Sequence, residues 1–486
     1  MSATEEPFVS QTARLEAPAE RRHSNLVLLL LCLAEFMIVL DFSIVNVALP
    51  SIQTDLGFST ADLQWVISAY AVAFGGFLLL GGRIADYYGR RRLFVVGLVV
   101  FALASLVAGF AQDAVTLVAL RGVQGLAAAV VAPAALSLLT TSFAEGPERN
   151  RALGVYGAVL SFGFVSGVIA GGVLTELLDW RWVFFVNVPI GLVAALLSPG
   201  LLSESHGGRE SGQLDIPGAV TITAAAVGLV FALSAANTQG WTSAATLGTL
   251  AGSAVLLVAF VLIEQRTKDP LIPLSIFKLR ALVGANLANV MLIGSFVGVT
   301  YVLTLFLQRV EGYSPLETGL SFAVLGVTAI VAGMTAAKIS AKIGIPLSLT
   351  IGMLAQGLGT AAIAVLPEGG ALPWVLVGTA LVGFGNVFAV VMISISATAG
   401  VPDHQQGLAG GLLGTSQQLG AALGVAIFAA IAAARTSALL PAGVAVEAAG
   451  PAELVGGFRL ALLVAAAVAV LAVAVGVPML RSRTEA

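Results

Sequence analysis

Charged residues are scarce in this chain: they make up 10% of its 486 residues, against 58% hydrophobic. A soluble domain carries roughly 25% charged residues, so a soluble globular fold is excluded. Cysteine occurs once, as Cys32, which rules out an intrachain disulfide and a thiolate metal cluster. The three histidines, His23, His206 and His404, all fall in polar segments. A buried imidazole relay or histidine metal site is therefore not expected, and any proton chemistry must use carboxylates. There is no G-x-x-x-x-G-K-[ST] phosphate loop. After the N-terminal tail no connection exceeds roughly two dozen residues, too few for a soluble catalytic or nucleotide-binding domain. No catalytic set, metal or cofactor is expected, and any transport by the chain would not be powered by its own ATP hydrolysis. The net charge of −3 gives no ground for a nucleic-acid partner.

What the chain has instead is long apolar runs. A membrane-spanning helix needs about 20 predominantly apolar residues. Fourteen such runs lie near 26–49, 62–81, 93–111, 115–140, 152–175, 182–203, 217–236, 246–263, 281–303, 316–336, 347–366, 374–398, 407–433 and 456–480. The first 25 residues are polar and end in Arg21, Arg22 and His23. The run that follows is too long for a signal-peptide core and lacks a cleavage pattern, so no processing is expected.

The basic residues orient these spans. With the N-terminus inside, 18 of the 23 Lys and Arg fall in alternate, cytoplasmic segments, including Arg83, Arg90, Arg91, Arg92, Arg266, Lys268, Lys338 and Lys342. Four, Arg181, Arg309, Arg435 and Arg459, fall outside, and Arg121 lies within a span. A miscounted helix would scramble that parity, so the positive-inside rule supports fourteen spans with both termini cytoplasmic.

Of the 26 acidic residues, only Glu35 and Asp41 fall well inside an expected span. A carboxylate there costs roughly 2.5 to 3.5 kcal/mol even on lenient scales, so such residues face a functional cavity or anchor a neighbouring helix. Arg121, in the fourth span, and Asp41 both lie roughly 10 Å below the outer surface at about 1.5 Å per residue, and are expected to meet. Glu35 lies about 9 Å deeper and about 120° around the same helix, which suits a site near the membrane middle. A second group is GGRIADYYGRRR, residues 81–92, where Asp86 is expected to contact a neighbouring helix end; on composition alone it reads as an ordinary positive-inside loop. A third is the glycine ladder Gly163, Gly167, Gly171 and Gly172, echoed by Gly410, Gly414, Gly420 and Gly424. Small residues at this spacing allow close helix approach, which suits static packing and rocking alike. Phe36, Phe42, Trp65, Tyr70 and Phe74 either line an apolar pocket or face lipid.

LDFSIVNVALP (40–50), GRIADYYGRRRLF (82–94), LVALRGVQGLAAA (117–129) and WRWVFFVNVPIG (180–191) resemble the signature segments of the fourteen-helix drug:proton antiporter branch of the major facilitator superfamily. LDIPGA (214–219), DPLIPLSIF (269–277) and QRVEGYSPLETGL (308–320) look like that branch too. The resemblance implies an all-α membrane fold: six-helix bundles at 26–203 and 281–480, two inserted helices within 204–280, and tails at 1–25 and 481–486. It further implies proton coupling through Asp41, Arg121 and Gln124, to which the depth of Glu35 adds a second candidate carrier, and a cytoplasmic motif at Gly82, Asp86, Gly89 and Arg90 that latches the outward-open state. Two positions depart from the pattern. Gly167 is followed by Val168 where the antiporter motif has proline, and Ala337 stands where a second-half latch would have aspartate.

The leading expectation is thus a multi-pass protein of a bacterial plasma membrane that exports small amphipathic molecules in exchange for protons. Its partners are then cargo, protons and membrane lipids. Nothing fixes the oligomeric state, a monomer being the simpler expectation. A lipid or siderophore-like metabolite is the alternative cargo. A receptor or enzyme without transport is disfavoured, because no catalytic triad, metal cluster or sensor domain is visible.

Overall fold

The computed structural model describes residues 18–205, 214–365, 372–398, 401, 406–441, 444 and 446–481. His206, His404 and most of the two expected tails lie outside them. Among the described residues, 14 spans are long and apolar enough to cross a membrane. Helices satisfy every backbone group internally, which lipid requires.

The first half comprises α1 (Pro18–Leu56), α2 (Trp65–Tyr88), α3 (Arg90–Gly109), α4 (Ala114–Ser142), α5 (Pro147–Leu177) and a sixth span broken into α6 (Trp182–Phe185) and α7 (Asn187–Leu201). Then come α8 (Ile216–Gln239) and α9 (Ala244–Arg266), followed by α10 (Arg280–Arg309), α11 (Pro315–Ile343), α12 (Ile345–Ala364), α13 (Leu372–Thr398), α14 (Gln406–Leu439) and α15 (Pro451–Arg481). Several helices outrun the apolar windows, and some begin at polar caps. Asp113 accepts the Thr116 N–H at 2.8 Å and Asp215 the Gly218 N–H at 2.8 Å. Ser314 and Glu317 form a reciprocal capping box before α11. The LDIPGA and SPLETGL segments are thus helix starts.

The expected loop at 81–92 is instead a single-residue break. Gly89, at φ 104°, separates α2 from α3, as Gly344, at φ 81°, separates α11 from α12. Both conformations are left-handed territory that a side chain strains. These matching breaks mark the same step in each half of the chain.

In the first half α1 packs on α5 and α4, α2 on α4, and α3 on α4 and α7. In the second, α10 packs on α14 and α15, and α13 on α11 and α12. The halves meet along α5 with α11 and α2 with α14, and α8 lies against that second seam, touching both α2 and α14. The end carrying Arg83 and Arg90–Arg92 is termed the basic end. At the opposite end one continuous core spans both halves, joining Ile44, Leu49 and Val66 to Val302, Phe322 and Val425. Three hydrogen bonds reinforce it: Gln308 to the Val47 carbonyl (2.9 Å), the Leu316 N–H to Glu176 (2.9 Å) and Ser68 to the Ala422 carbonyl (3.3 Å). Toward the basic end the core divides in two. One cluster holds Leu31, Phe94, Phe101 and Leu138 of the first half, and the other is built from α8–α15 and their connections with Leu80 of α2.

Candidate functional site

The α1 and α4 registers bring Asp41, Arg121 and Gln124 together. Arg121 and Gln124 are three residues apart on α4 and so share one face. All three side chains are fully buried. Arg121 Nη1 donates to Asp41 Oδ2 at 2.5 Å and to Gln124 Oε1 at 2.9 Å, while its Nε donates to the Val66 carbonyl at 2.9 Å. Gln124 Nε2 donates to Asp41 Oδ1 (3.0 Å) and to Ser105 Oγ (2.8 Å). Asn187, at the break between α6 and α7, adds a bond to Asp41 Oδ1 at 2.8 Å. The unbonded side of the guanidinium is covered by aromatic rings, with Tyr70 at 4.5 Å and Phe184 at 5.9 Å from Cζ. Both carboxylate oxygens are therefore satisfied and the charge is neutralised where water does not reach. A buried pair is tolerable in these conditions only with every remaining lone pair occupied.

Glu35 is differently placed. It retains 7% exposure, against 0% for Asp41, and accepts a 2.7 Å hydrogen bond from the Tyr156 hydroxyl of α5. A neutral phenol does not cancel its charge. Of the two carboxyls deep within α1, Glu35 is the one without a cation bonded to it among the described residues.

The aromatic set divides. Phe36 stacks on Phe162 (5.8 Å) and Phe42 leans on Tyr70 (6.0 Å); Phe36, Phe42 and Trp65 are partly exposed. Tyr70 and Phe74, for which the sequence leaves pocket lining and lipid-facing placement both open, are buried at 0% and 7%. Packing claims them: Tyr70 lies under Arg121, and Phe74 packs edge-on against it.

In the GRIADYYGRRR group Asp86 accepts from Arg90 Nε at 2.7 Å, so it meets the first residue of α3 by its side chain, and it stays 45% exposed. The backbone of the same helix start is capped by Glu204, whose carboxylate accepts the Arg91 and Arg92 N–H groups at 3.0 and 3.2 Å. An added Cβ on Gly89 would lie 2.9 Å from the Glu204 carboxyl carbon. Gly82 faces Pro133 of α4. Arg83, not singled out from sequence, donates to the carbonyls of Asp269 (2.7 Å), Pro270 and Leu271 (3.5 Å).

Gly163, Gly167 and Gly171 seat α5 against Val39, Ser43 and Ile44 of α1, and Gly172 faces Pro315 of α11, whose carbonyl oxygen would lie 2.6 Å from an added Cβ. The ladder thus touches a same-bundle neighbour and the opposite half at once. In α14, Gly420 and Gly424 approach Val290 and Gly294 of α10, Gly414 meets Leu78 of α2, and Gly410 opens onto empty space.

Sequence reasoning missed Asn187, Ser105, Tyr156, Glu204 and Arg83. Asn187 stands inside the WRWVFFVNVPIG segment and Arg83 inside the arginine-rich one, so both were visible as motif members without a role. It also ended the ninth helix's apolar run at 263, whereas α9 continues to Arg266 and buries Glu264 to 3% exposure.

Comparison with known proteins follows the same lines. The family described as Major Facilitator Superfamily matches residues 31–215 and 216–425. The chain is 39% identical to the puromycin resistance protein pur8 of Streptomyces alboniger, over 98% of this chain and 95% of that one. It is 40% identical to the cephamycin export protein CmcT of Amycolatopsis lactamdurans, over 93% and 92%. It is also 33% identical to the multidrug resistance protein Stp of Mycobacterium tuberculosis, over 86% and 78%. Among solved structures it resembles a bacterial homologue of the lysosomal transporter Spinster in an inward-facing, unoccupied conformation, with TM-score 0.68, 17% identity and coverage of 95% and 98%. A peptide transporter POT in complex with sulfate gives TM-score 0.68 at 16% identity, covering 94% and 95%.

Proposed function

This chain belongs to the major facilitator superfamily, and on that premise we propose that it exports small hydrophobic or cationic compounds in exchange for protons, with Glu35 as the proton carrier. It is a multi-pass membrane transporter and not an enzyme, and its relatives are antibiotic export and resistance proteins. The observation that carries the coupling proposal is the contrast along α1: Asp41 is sealed and neutralised by Arg121, while Glu35 keeps slight exposure and only a hydroxyl partner.

A carboxyl in that position is neutral when protonated and, once the proton leaves, offers an anion to a cationic cargo. Protons and cargo then compete for one group, which is what obligatory exchange requires. Asp41, Arg121, Gln124 and Asn187 act as the scaffold holding α1 to α4 and α6–α7, and Tyr156 positions Glu35. Phe36, Phe42 and Trp65 offer apolar surface to cargo nearby. Segments 26–203 and 281–480 serve as the two rocking bundles, with 204–280 inserted between them. The basic end is cytoplasmic by the positive-inside rule, as are both termini. A core joined at the far end and divided toward the basic end supports an inward-facing resting arrangement. In it Asp86 pairs within its own segment, consistent with a latch that engages across the bundles only in the outward-open state. The resemblance to an antibiotic exporter over nearly the full chain favours antibiotics or a secondary metabolite as cargo over lipid.

The test is purified protein in liposomes holding a pH-sensitive dye, with an imposed proton gradient and a panel of lipophilic cations and neutral antibiotics. Cargo-dependent proton flux is expected from the wild type and lost in Glu35→Gln. Wild-type flux in Glu35→Gln would overturn the assignment of the carrier, and absence of flux with every compound would overturn proton-coupled drug export itself.

A further inference from the structure

A second pair of buried carboxyls lies away from α1, at the basic ends of the two inserted helices. Asp215 caps α8 and Glu264 sits in the last turn of α9, at 2% and 3% exposure. Each has one oxygen occupied by a backbone donor: Asp215 Oδ1 takes the Gly218 N–H at 2.8 Å, and Glu264 Oε2 the Ile272 N–H at 3.1 Å. The remaining oxygens, Asp215 Oδ2 and Glu264 Oε1, are buried without a hydrogen-bond partner. Helices α8 and α9 pack together, and Asp215 is the acidic neighbour of Glu264. Two ionised carboxylates in contact away from water repel strongly, whereas one proton between them turns two orphan acceptors into a hydrogen-bonded pair.

The pair is tied to α2. The segment whose Ile272 N–H binds Glu264 also presents the carbonyls of Asp269, Pro270 and Leu271 to Arg83 of α2. Leu271, Ile272 and Ile276 are buried in one cluster with Leu80 of α2 and Ala219 of α8. Among the described residues, the charged groups facing Glu264 are Asp215 from α8 and Arg83 from α2; Arg266 and Lys268, next along the chain, are exposed. A continuous path therefore runs from Asp215 through Glu264 and the 269–272 backbone to the basic end of α2, which lies on the seam between the halves.

We propose that Asp215 and Glu264 form a proton-binding site that operates a clasp: with one proton shared between them the inserted helices hold the basic end of α2 through Arg83, and loss of that proton releases it. This site is separate from Glu35 and does not rest on the role given to that residue. It would give the inserted pair a function of its own, making α2 responsive to cytoplasmic pH.

The test places spin labels at Tyr87, on α2, and Phe277, each 45% exposed, in the full-length protein in lipid nanodiscs. Cys32 is buried and stays unlabelled. Distances are read from about pH 5 to about pH 9, a window that spans ordinary and strongly raised carboxyl titrations. The wild-type distance is expected to lengthen as pH rises. Glu264→Gln and Asp215→Asn, each of which supplies a permanent donor to the surviving carboxyl, should hold the short distance throughout. Glu35→Gln should titrate like the wild type. Infrared difference spectra give a second readout, a protonated-carboxyl carbonyl band present in wild type and missing in Asp215→Asn, which serves even if Glu264→Gln fails to fold. A wild-type distance indifferent to pH, an unchanged titration in either amide variant, or loss of the shift in Glu35→Gln would overturn the proposal.

Discussion

Residue chemistry divides two acids six positions apart on one helix into different kinds of group. Asp41 is bound by Arg121, Gln124 and Asn187, and its removal strands a buried guanidinium. Breaking such a pair costs about 3–5 kcal/mol. Asp41→Asn is therefore expected to lower the thermal unfolding midpoint of the detergent-solubilised protein markedly. Glu35→Gln, which keeps a polar partner for Tyr156, should leave it near wild type while removing coupling. Equal midpoints for the two variants would deny Asp41 its scaffold role. The meeting of Asp41 with Arg121 is legible in the sequence, because membrane depth fixes the height of both along the normal. The parts played by Tyr156 and Asn187 are not, since depth says nothing about which helix lies beside which.

At the scale of helices, glycine spacing indicates close packing, and only the tertiary arrangement tells which glycines are in contact. Gly424 presses against the Gly294 carbonyl of α10, while Gly410, on the same helix and in the same sequence ladder, faces nothing within 4 Å. Gly424→Ala should destabilise the α10–α14 pair by about 1–3 kcal/mol, the usual cost of overpacking a tight contact. Gly410→Ala should be neutral or slightly stabilising, because it limits the unfolded chain without meeting a neighbour. Thermal unfolding of the two variants side by side checks the contrast. The single-residue break at Gly89 is hidden for a related reason: the arginines after it look like loop, yet Glu204 caps them into the first turn of α3.

For the whole molecule, the polar centre is asymmetric. The first half buries an ion pair, Asp41 of α1 with Arg121 of α4, while among the described residues the second half buries a neutral amide pair, Asn386 of α13 donating to Gln356 of α12 at 3.0 Å. Together with Ala337 in the place of a second latch aspartate, this concentrates the charge chemistry in one bundle. If the far end is the closed gate at rest, cysteines replacing Glu176 and Leu316, which bond across the halves at 2.9 Å, should be bridged readily by a short bifunctional thiol reagent. Transport should stop on bridging and return on cleavage. Bridging that leaves transport intact would show that this end does not open during the cycle.

Sequence by itself determined the membrane class, the number of spans, the sidedness expected from arginine placement and the short set of carboxyls worth testing. Those follow from transfer energies and periodicity, which are properties of a segment in its solvent. The tertiary structure decided what each polar group touches: that Asp41 is sealed and Glu35 is not, that Tyr70 and Phe74 belong to packing, and that Asp215 and Glu264 share a buried corner under Arg83. Lateral neighbours in a bundle are chosen by side-chain shape and hydrogen bonding between helices distant in the chain, and no single segment carries that information.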